Sequence, residues 1–312
     1  MSDERKAAVL PYVALALLAL IWGASFLFIK VAVKDMSPAV LVLIRAGSGS
    51  VTLALIMIAM RKRILRTGWK TRLIPFAIMG LTSGLLPWAA FGFGEQHITS
   101  GLAGILNSTT PLWTAVLVWL VIPAERPSAL TYVGVSIGFV GTVIVVLPQI
   151  MGHGLGGDTL GTLAICGAAF SYGVAAVYQR RNLRGVDPYE ASLGQLVLTT
   201  LMAIPFASPS ISSVHLDWKS AGGALALGTA GSGVAYVLYY YILNSLGPLR
   251  ASGVTFLVPV FAIFWGILLL NEVLTAPVII GMVVILAGIV LANVRRSKAS
   301  AKPVPEPDRA AA

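Results

Sequence analysis

Residues 101–122 read GLAGILNSTTPLWTAVLVWLVI, a stretch with the length and apolar ends of a membrane-spanning helix but a polar centre. The centre holds Asn107, Ser108, Thr109, Thr110 and Pro111, at the depth where hydrocarbon would surround the chain. Pro111 removes one backbone donor and leaves a carbonyl group one turn earlier without its partner, which lipid cannot replace. Such an interruption is tolerated only where it faces protein or a hydrated cavity.

The composition of the whole chain is that of a membrane protein. Of its 312 residues, 57% are hydrophobic and 11% are charged, and the mean hydropathy is +0.87. A soluble domain has about 25% charged residues. Apolar runs recur along the chain, each near the ~20 residues that cross a bilayer. We predict ten transmembrane helices at 8–29, 38–60, 73–94, 100–122, 128–147, 160–179, 188–207, 221–243, 249–270 and 276–294.

The basic residues indicate how these helices are oriented. With the N-terminus in the cytoplasm, all but four of the 22 Lys and Arg residues fall on the cytoplasmic side, as the positive-inside rule requires. Lys34 and Lys219 fall outside, and Lys30 and Arg45 fall within helices. We therefore expect a multi-pass protein of the inner membrane with both termini in the cytoplasm. The basic clusters would face anionic lipid, and no nucleic-acid partner is expected.

The second half of the sequence repeats landmarks of the first half in the same order. The pairs are Gly23 and Gly173, Pro38 and Pro188, Pro111 and Pro259, and Glu125 and Glu272. Because five helices is an odd number, the two copies would cross the membrane in opposite directions, as in secondary transporters. The predicted fold class is an all-α integral membrane protein with two inverted five-helix repeats around a central cavity. The predicted parts are a first repeat (1–147), an extracytoplasmic linker (148–159), a second repeat (160–295) and a disordered cytoplasmic tail (296–312).

Two segments carry a family resemblance, PLWTAVLVWLVIPAERPSALTYVGVSIGFVG and PVFAIFWGILLLNEVLTAPVIIGMVVILAG. Each has a proline with an aromatic residue two positions later, then a glutamate and two glycines, and WGASF stands in the first helix. With these motifs, residues 10–295 resemble the EamA branch of the drug/metabolite transporter superfamily, and in general similarity a YddG-type exporter. The first copy departs from the second by one extra residue between its proline and its glutamate. The resemblance implies a secondary transporter of amino acids, aromatic or other bulky apolar ones.

Polar and helix-breaking residues form the first set of candidate site residues. Helical projection places Asn107, Thr110 and Pro111 on one face of the fourth helix, and Thr255 and Pro259 on the matching face of the ninth. We predict that Asn107, Thr110 and Thr255 bind substrate, and that the two prolines are helix breaks or gates. In the alternative, the hydroxyl groups bond across a helix interface or back to their own backbone.

Aromatic residues form the second set. The predicted substrate contacts are Trp22, Trp88, Tyr172, Tyr240 and Tyr241. Trp88 follows Pro87 in the third helix, and we predict Pro87 as a further break or gate. These rings could line a cavity for an aromatic or bulky apolar substrate. The alternative is ordinary packing or an interfacial belt.

Charged residues at membrane depth are functional candidates because burying them is costly. Arg45 is a candidate contact for a substrate carboxylate. Glu95 is a candidate contact for a substrate ammonium group, or is simply solvated at the end of its helix. We expect Lys30 to extend outward and pair with Asp35. No carboxylate falls clearly at mid-membrane, which favours a facilitator or exchanger, with Glu95 left as the one proton site.

Motifs for catalysis and cofactor binding are absent from the sequence. It contains no GxxxxGK[ST] loop, no HExxH and no Ser/His/Asp grouping, so we expect no enzyme, no cofactor and no metal. Two alternatives stay open, a proton-coupled exporter of other amphipathic metabolites or drugs and a membrane-embedded enzyme acting on lipid. The expected partners are a small-molecule substrate and the lipid bilayer, with the protein as a monomer.

Overall fold

The computed structural model of the protein describes residues 3–64, 69–122, 128–153, 157–214, 217–251 and 253–293. These residues form helices joined by short turns. Eight helical stretches among them are long and apolar enough to cross a membrane, and Val254–Leu270 and Ala276–Ala292 are shorter apolar helices. Large apolar side chains such as Leu55, Val143 and Leu268 are exposed on the outside, as expected of a surface that contacts lipid.

The α-helices of the first half are α1 (Asp3–Ala32), α2 (Pro38–Ala59), α3 (Leu73–Gly80), α4 (Leu86–His97), α5 (Ser100–Asn107), α6 (Thr110–Val121) and α7 (Ala129–His153). Those of the second half are α8 (Gly157–Asn182), α9 (Pro188–Ala207), α10 (Trp218–Gly228), α11 (Ala235–Ala251), α12 (Val254–Leu270) and α13 (Ala276–Asn293). Short 3₁₀ turns, Trp69–Arg72 and Ser208–Ser213, precede α3 and follow α9.

Two π-helical turns lie at corresponding places in the two halves. The turn π1 (Leu81–Leu85) joins α3 to α4, and π2 (Thr229–Val234) joins α10 to α11. A π turn contains one residue more than an α turn, and it therefore rotates the helix that follows relative to a regular α-helix.

Some predicted boundaries differ from the observed ones. Gly247 has φ +77° and interrupts α11, a conformation that glycine adopts at little cost. Residues 248–251 after this kink are helical and belong to α11, and α12 begins at Val254 rather than at 249. Both neighbouring helices extend into the predicted linker, 148–159, because α7 continues to His153 and α8 begins at Gly157. The predicted tail, 296–312, lies outside the described residues.

Glycine lets α7 and α13 pack backbone against backbone. A Cβ atom at Gly134 would lie 2.7 Å from the carbonyl oxygen of Gly288, and one at Gly281 would lie 2.8 Å from that of Gly141. Gly134 comes before Gly141 in α7, whereas its partner Gly288 comes after Gly281 in α13. The two helices run antiparallel, and no larger side chain fits between them at these positions.

Other contacts between the halves also occur in matched pairs. Helix α1 packs on α12, and α8 packs on α6. Within these pairs, Gly23 lies against the side chain of Phe261, and Gly173 lies against that of Trp113. Likewise α4 packs on α8, while α10 and α11 pack on α1. Between these helices lies the large cavity of the molecule.

Candidate substrate cavity

The cavity has a volume of about 1370 Å³ and is lined by both halves of the chain. Pockets for small molecules usually measure about 300–1,000 Å³, so this one has room for a metabolite and its water. It extends from the middle of the bundle to one of its ends, where the lining includes Ser128 before α7, Arg180 near the end of α8, Pro188 at the start of α9 and Ala292 near the end of α13.

The interrupted stretch of the fourth span faces this cavity. Helix α5 ends at Asn107 and α6 begins at Thr110, so the break occurs at Ser108 and Thr109. The side chains of Asn107 and Thr110 and the ring of Pro111 line the cavity. The predicted location of these residues is therefore the observed one, although contact with a substrate stays a prediction.

The hydroxyl groups of this stretch bond to their own backbone. Thr110 Oγ1 donates to the carbonyl oxygen of Asn107 at 2.8 Å, and Ser108 and Thr109 donate to Ile105 and Leu106 at 2.6 and 2.7 Å. Pro111 removes the donor that the carbonyl group of Asn107 would have, and the bond from Thr110 replaces it. The carbonyl groups of Ile105 and Leu106 also accept the backbone N–H groups of Ser108 and Thr109. The hydroxyl groups thus bond back to their own backbone, as the alternative interpretation predicted, in a stretch that also lines the cavity. Asn107 differs, because its buried Oδ1 has no hydrogen-bond partner among the described residues.

The matching part of the ninth span also lines the cavity. Thr255, Val258 and Pro259 lie on the cavity wall, and Pro259 lies inside α12 rather than at a break. The two prolines therefore act differently on their helices. Pro111 is near the start of α6, where a missing backbone donor costs little, whereas Pro259 removes a donor in mid-helix.

Aromatic side chains form another part of the cavity wall. Trp88 donates from Nε1 to the hydroxyl of Tyr172 at 3.0 Å, and Trp22 packs on the ring of Tyr239 with centroids 5.8 Å apart. Trp22 Nε1 also donates to the carbonyl of Gly231 in π2 at 3.2 Å. Tyr240 lines the cavity and shares a hydrogen bond with Ser192. Bonds of this kind fix the rings in place, which leaves their faces as a preformed apolar surface.

Arg45 lies among these rings. Its guanidinium carbon is 4.0 Å from the centroid of the Trp88 ring, and its Nε donates to Ser232 Oγ at 3.4 Å. The side chain lines the cavity although it is only 8% exposed. A cation stacked on indole in this way gains cation–π attraction while its remaining donors stay available.

Three predicted residues lie away from the cavity wall. Glu95 is fully buried, and neither carboxylate oxygen has a hydrogen-bond partner among the described residues. It is therefore not solvated at a helix end as the sequence suggested. Tyr241 is 37% exposed on the outer surface and Pro87 is buried at the start of α4, directly after π1. In this conformation the structure does not bring these residues to the cavity, although Pro87 does mark a change of helix type.

Several cavity residues were not predicted, among them Tyr236, Tyr239, Gln195 and Ser232. In the eighth span Tyr240 was predicted and lines the cavity, whereas its predicted neighbour Tyr241 does not. Ser232 lies in π2, and a constant 100° per residue does not hold across a π turn. The glycines that recur in GLTSG and TAGSG were the feature of the sequence that marks the two π turns.

Polar contacts join the helix ends at the other end of the cavity. Lys30 Nζ donates to the carbonyl oxygens of Glu95 and Ile98 at 2.5 and 2.7 Å. Asp35, its predicted partner, accepts a hydrogen bond from Ser220. Glu272 accepts from the backbone N–H groups of Ser100 and Gly101 at 2.7 and 2.9 Å. It thereby binds the N-terminus of α5, which attracts a negative charge.

Comparison with known proteins identifies the class and then the family. Apolar helices around a cavity of mixed polarity are typical of membrane transporters. Residues 10–147 and 159–294 match the EamA-like transporter family, and the chain belongs to that family. It is accordingly a membrane transporter and not an enzyme.

Individual relatives agree with this assignment. The chain is 26% identical over 272 residues to a Bacillus subtilis protein named uncharacterized transporter YoaV, with 86% of this chain and 92% of that protein covered. It is 26% identical over 299 residues to the Escherichia coli K12 protein named uncharacterized inner membrane transporter YedA, with 94% of each covered. A solved crystal structure resembles the fold with a TM-score of 0.65 at 19% identity, covering 94% of this chain and 99% of the other.

Proposed function

We propose that the protein is a secondary transporter, an exporter or facilitator, that moves aromatic and other bulky apolar amino acids across the inner membrane by alternating access. The observation that carries this proposal is the cavity wall, in which the guanidinium group of Arg45 lies on the face of Trp88 and the rings of Trp22, Tyr172 and Tyr240 line the same cavity. Ring faces suit a bulky apolar side chain, and a guanidinium group suits a carboxylate.

In this proposal the chain has ten spans in two inverted repeats, residues 1–147 and 160–295. Helices α12 and α13 serve as the last two spans, since their 17 and 18 residues fall within the about 17–25 that suffice. The matched contacts between the halves support the repeat. The pairing of Gly134 with Gly288 and of Gly281 with Gly141 is what a two-fold axis in the membrane plane would produce.

The conformation corresponds to an inward-facing state if the termini are cytoplasmic. The cavity then reaches the cytoplasmic ends of the helices near Ser128 and Arg180. The contacts of Lys30 and Glu272 close the opposite, outer end. Exchange of these contacts for equivalent ones in the other half would close the inner end and open the outer one. Two related conformations of this kind are what alternating access requires.

Counterflow in proteoliposomes tests the proposal directly. The full chain is reconstituted alone, the vesicles are loaded with unlabelled phenylalanine, tryptophan or leucine, and entry of the labelled amino acid is followed. We expect transient accumulation of the label with phenylalanine and tryptophan, because exchange needs no energy source when the carrier alternates. Empty liposomes provide the baseline.

The same vesicles, at equal and at unequal pH on the two sides, report coupling to protons. Equal rates under both conditions support a facilitator or exchanger, and acceleration by the gradient supports the proton-coupled alternative. Absence of counterflow for every amino acid, with accumulation of an unrelated amphipathic compound, would overturn the amino acid assignment.

A further inference from the structure

Arg45 is a cation at membrane depth that has no ion-pair partner among the described residues. It lies two turns into α2, about 10 Å from the helix start at 1.5 Å per residue. Its contacts are the face of Trp88 and the hydroxyl of Ser232, and both are neutral. Within the described part of the chain no carboxylate forms an ion pair with it.

The acidic side chains of the described chain lie away from the cavity lining. Glu190 pairs with Arg72 at 2.8 Å, Glu272 binds the N-terminus of α5, and Asp35 binds Ser220. Glu95 acts on Arg45 electrostatically, but its carboxylate oxygens are buried without a hydrogen-bond partner. The described wall around Arg45 thus offers positive charge and neutral dipoles to a ligand.

A charge buried in protein normally has a counter-ion, because taking it out of water is costly. A ligand carboxylate would supply that counter-ion and could bind the guanidinium group through two parallel hydrogen bonds. The ammonium group of an amino acid would meet only neutral acceptors near Arg45, such as the faces and hydroxyl groups of the tyrosines. These can accept a hydrogen bond or a cation–π contact, but they do not neutralise the charge.

We infer that the ligand carboxylate, bound at Arg45, is the obligatory recognition element of this cavity and that the α-ammonium group is dispensable. The substrate class is then aromatic monocarboxylates, in which amino acids are included but not distinguished from acids that lack the amino group. This inference rests on the proposed function only in taking the central cavity as the substrate site.

Three probes with the same phenyl group separate the contributions of the two charges. They are phenylpropionate, which has the carboxylate alone, phenylalanine, which has both groups, and phenethylamine, which has the ammonium group alone. Binding to the purified full chain is measured by isothermal titration calorimetry. We expect phenylpropionate to bind at least as tightly as phenylalanine, and phenethylamine to bind about tenfold or more weakly, as loss of one hydrogen-bonded charge pair predicts.

Variants of Arg45 test where the discrimination arises. Arg45→Gln should weaken phenylpropionate about tenfold or more and abolish its advantage over phenethylamine. Arg45→Lys keeps the charge but loses the planar fork, so its affinity should be intermediate. Arg184→Gln is the control, because it removes an exposed guanidinium group that lies outside the cavity lining. It should leave the order of the probes unchanged.

Two results would overturn the inference: phenethylamine binding as tightly as phenylpropionate, or phenylalanine binding while phenylpropionate does not. If Arg45→Gln does not fold, the three probes on the wild-type chain decide alone. Binding in detergent is independent of transport. Phenylalanine that binds but gives no counterflow would therefore contradict the proposed function and leave this inference standing.

Discussion

Trp88 contacts both an aromatic and a cationic side chain of the cavity wall. Its indole N–H fixes Tyr172, its ring face supports the guanidinium group of Arg45, and it lines the cavity while only 4% exposed. One side chain therefore positions both the aromatic and the cationic parts of the candidate site. Asn107 lies on the same cavity and contributes an acceptor without a partner among the described residues.

We predict that Trp88→Ala lowers the initial rate of counterflow about tenfold, because it removes both the ring surface and the cation–π support of Arg45. The fold should survive, since the vacated volume joins an existing cavity. Trp119→Ala is the control, as Trp119 is 44% exposed on the outside and lies against Tyr132. Unchanged transport by Trp88→Ala at equal protein levels would remove Trp88 from the site.

At the scale of elements, the closed end depends on a contact between the end of α12 and the start of α5. Glu272 accepts two backbone N–H groups at the N-terminus of α5. Because the contact joins the two halves of the chain, it must break when this end of the cavity opens. It also explains why a glutamate follows the last turn of an otherwise apolar helix.

We expect Glu272→Gln to open this end more often, since the neutral amide keeps one acceptor and loses the charge. The measurement is the alkylation rate of a cysteine at Leu102, which is buried beside the contact, in a Cys166→Ser background. The rate should rise about tenfold, for a loss of about 1.4 kcal/mol. Asp217→Asn is the matched control, because Asp217 caps α10 without joining α5 to α12. Equal rates in the two variants would show that Glu272 does not hold the end closed.

At the scale of the whole molecule, two halves in contact along matched helix pairs enclose the cavity. The contacts of α1 with α12 and of α8 with α6 form its sides, and α7 and α13 pack at glycines. Close packing of this kind resists gradual deformation, so a change of access is expected as a concerted shift of packed helices.

Accessibility of single cysteines tests this arrangement. Asn107→Cys and Thr255→Cys, each in the Cys166→Ser background, should react with a membrane-impermeant maleimide added from the cytoplasmic side. The physical reason is that both positions line a cavity that extends to one end of the bundle. Vesicles of known orientation give the measurement. If neither cysteine reacts from either side, the positions face lipid or packed protein, and the cavity does not exist as described.

The amino-acid sequence by itself determined the class of fold and the place where the fourth span is interrupted. Hydropathy and charge depend only on residue type, and proline and glycine act on their own backbone wherever they stand. The break at Pro111 and the cavity location of Asn107, Thr110, Trp22 and Trp88 could therefore be predicted from local pattern. The recurrence of these landmarks in the second half also indicated the family.

Only the tertiary structure decided which face of each helix is turned to the cavity and which groups surround each charged side chain. In α11, Tyr236, Tyr239 and Tyr240 line the cavity and Tyr241 does not. Glu95 is enclosed by protein instead of solvated, and Arg45 lies on the ring of Trp88. These outcomes depend on packing between segments far apart in the chain, which spacing along a single helix does not encode.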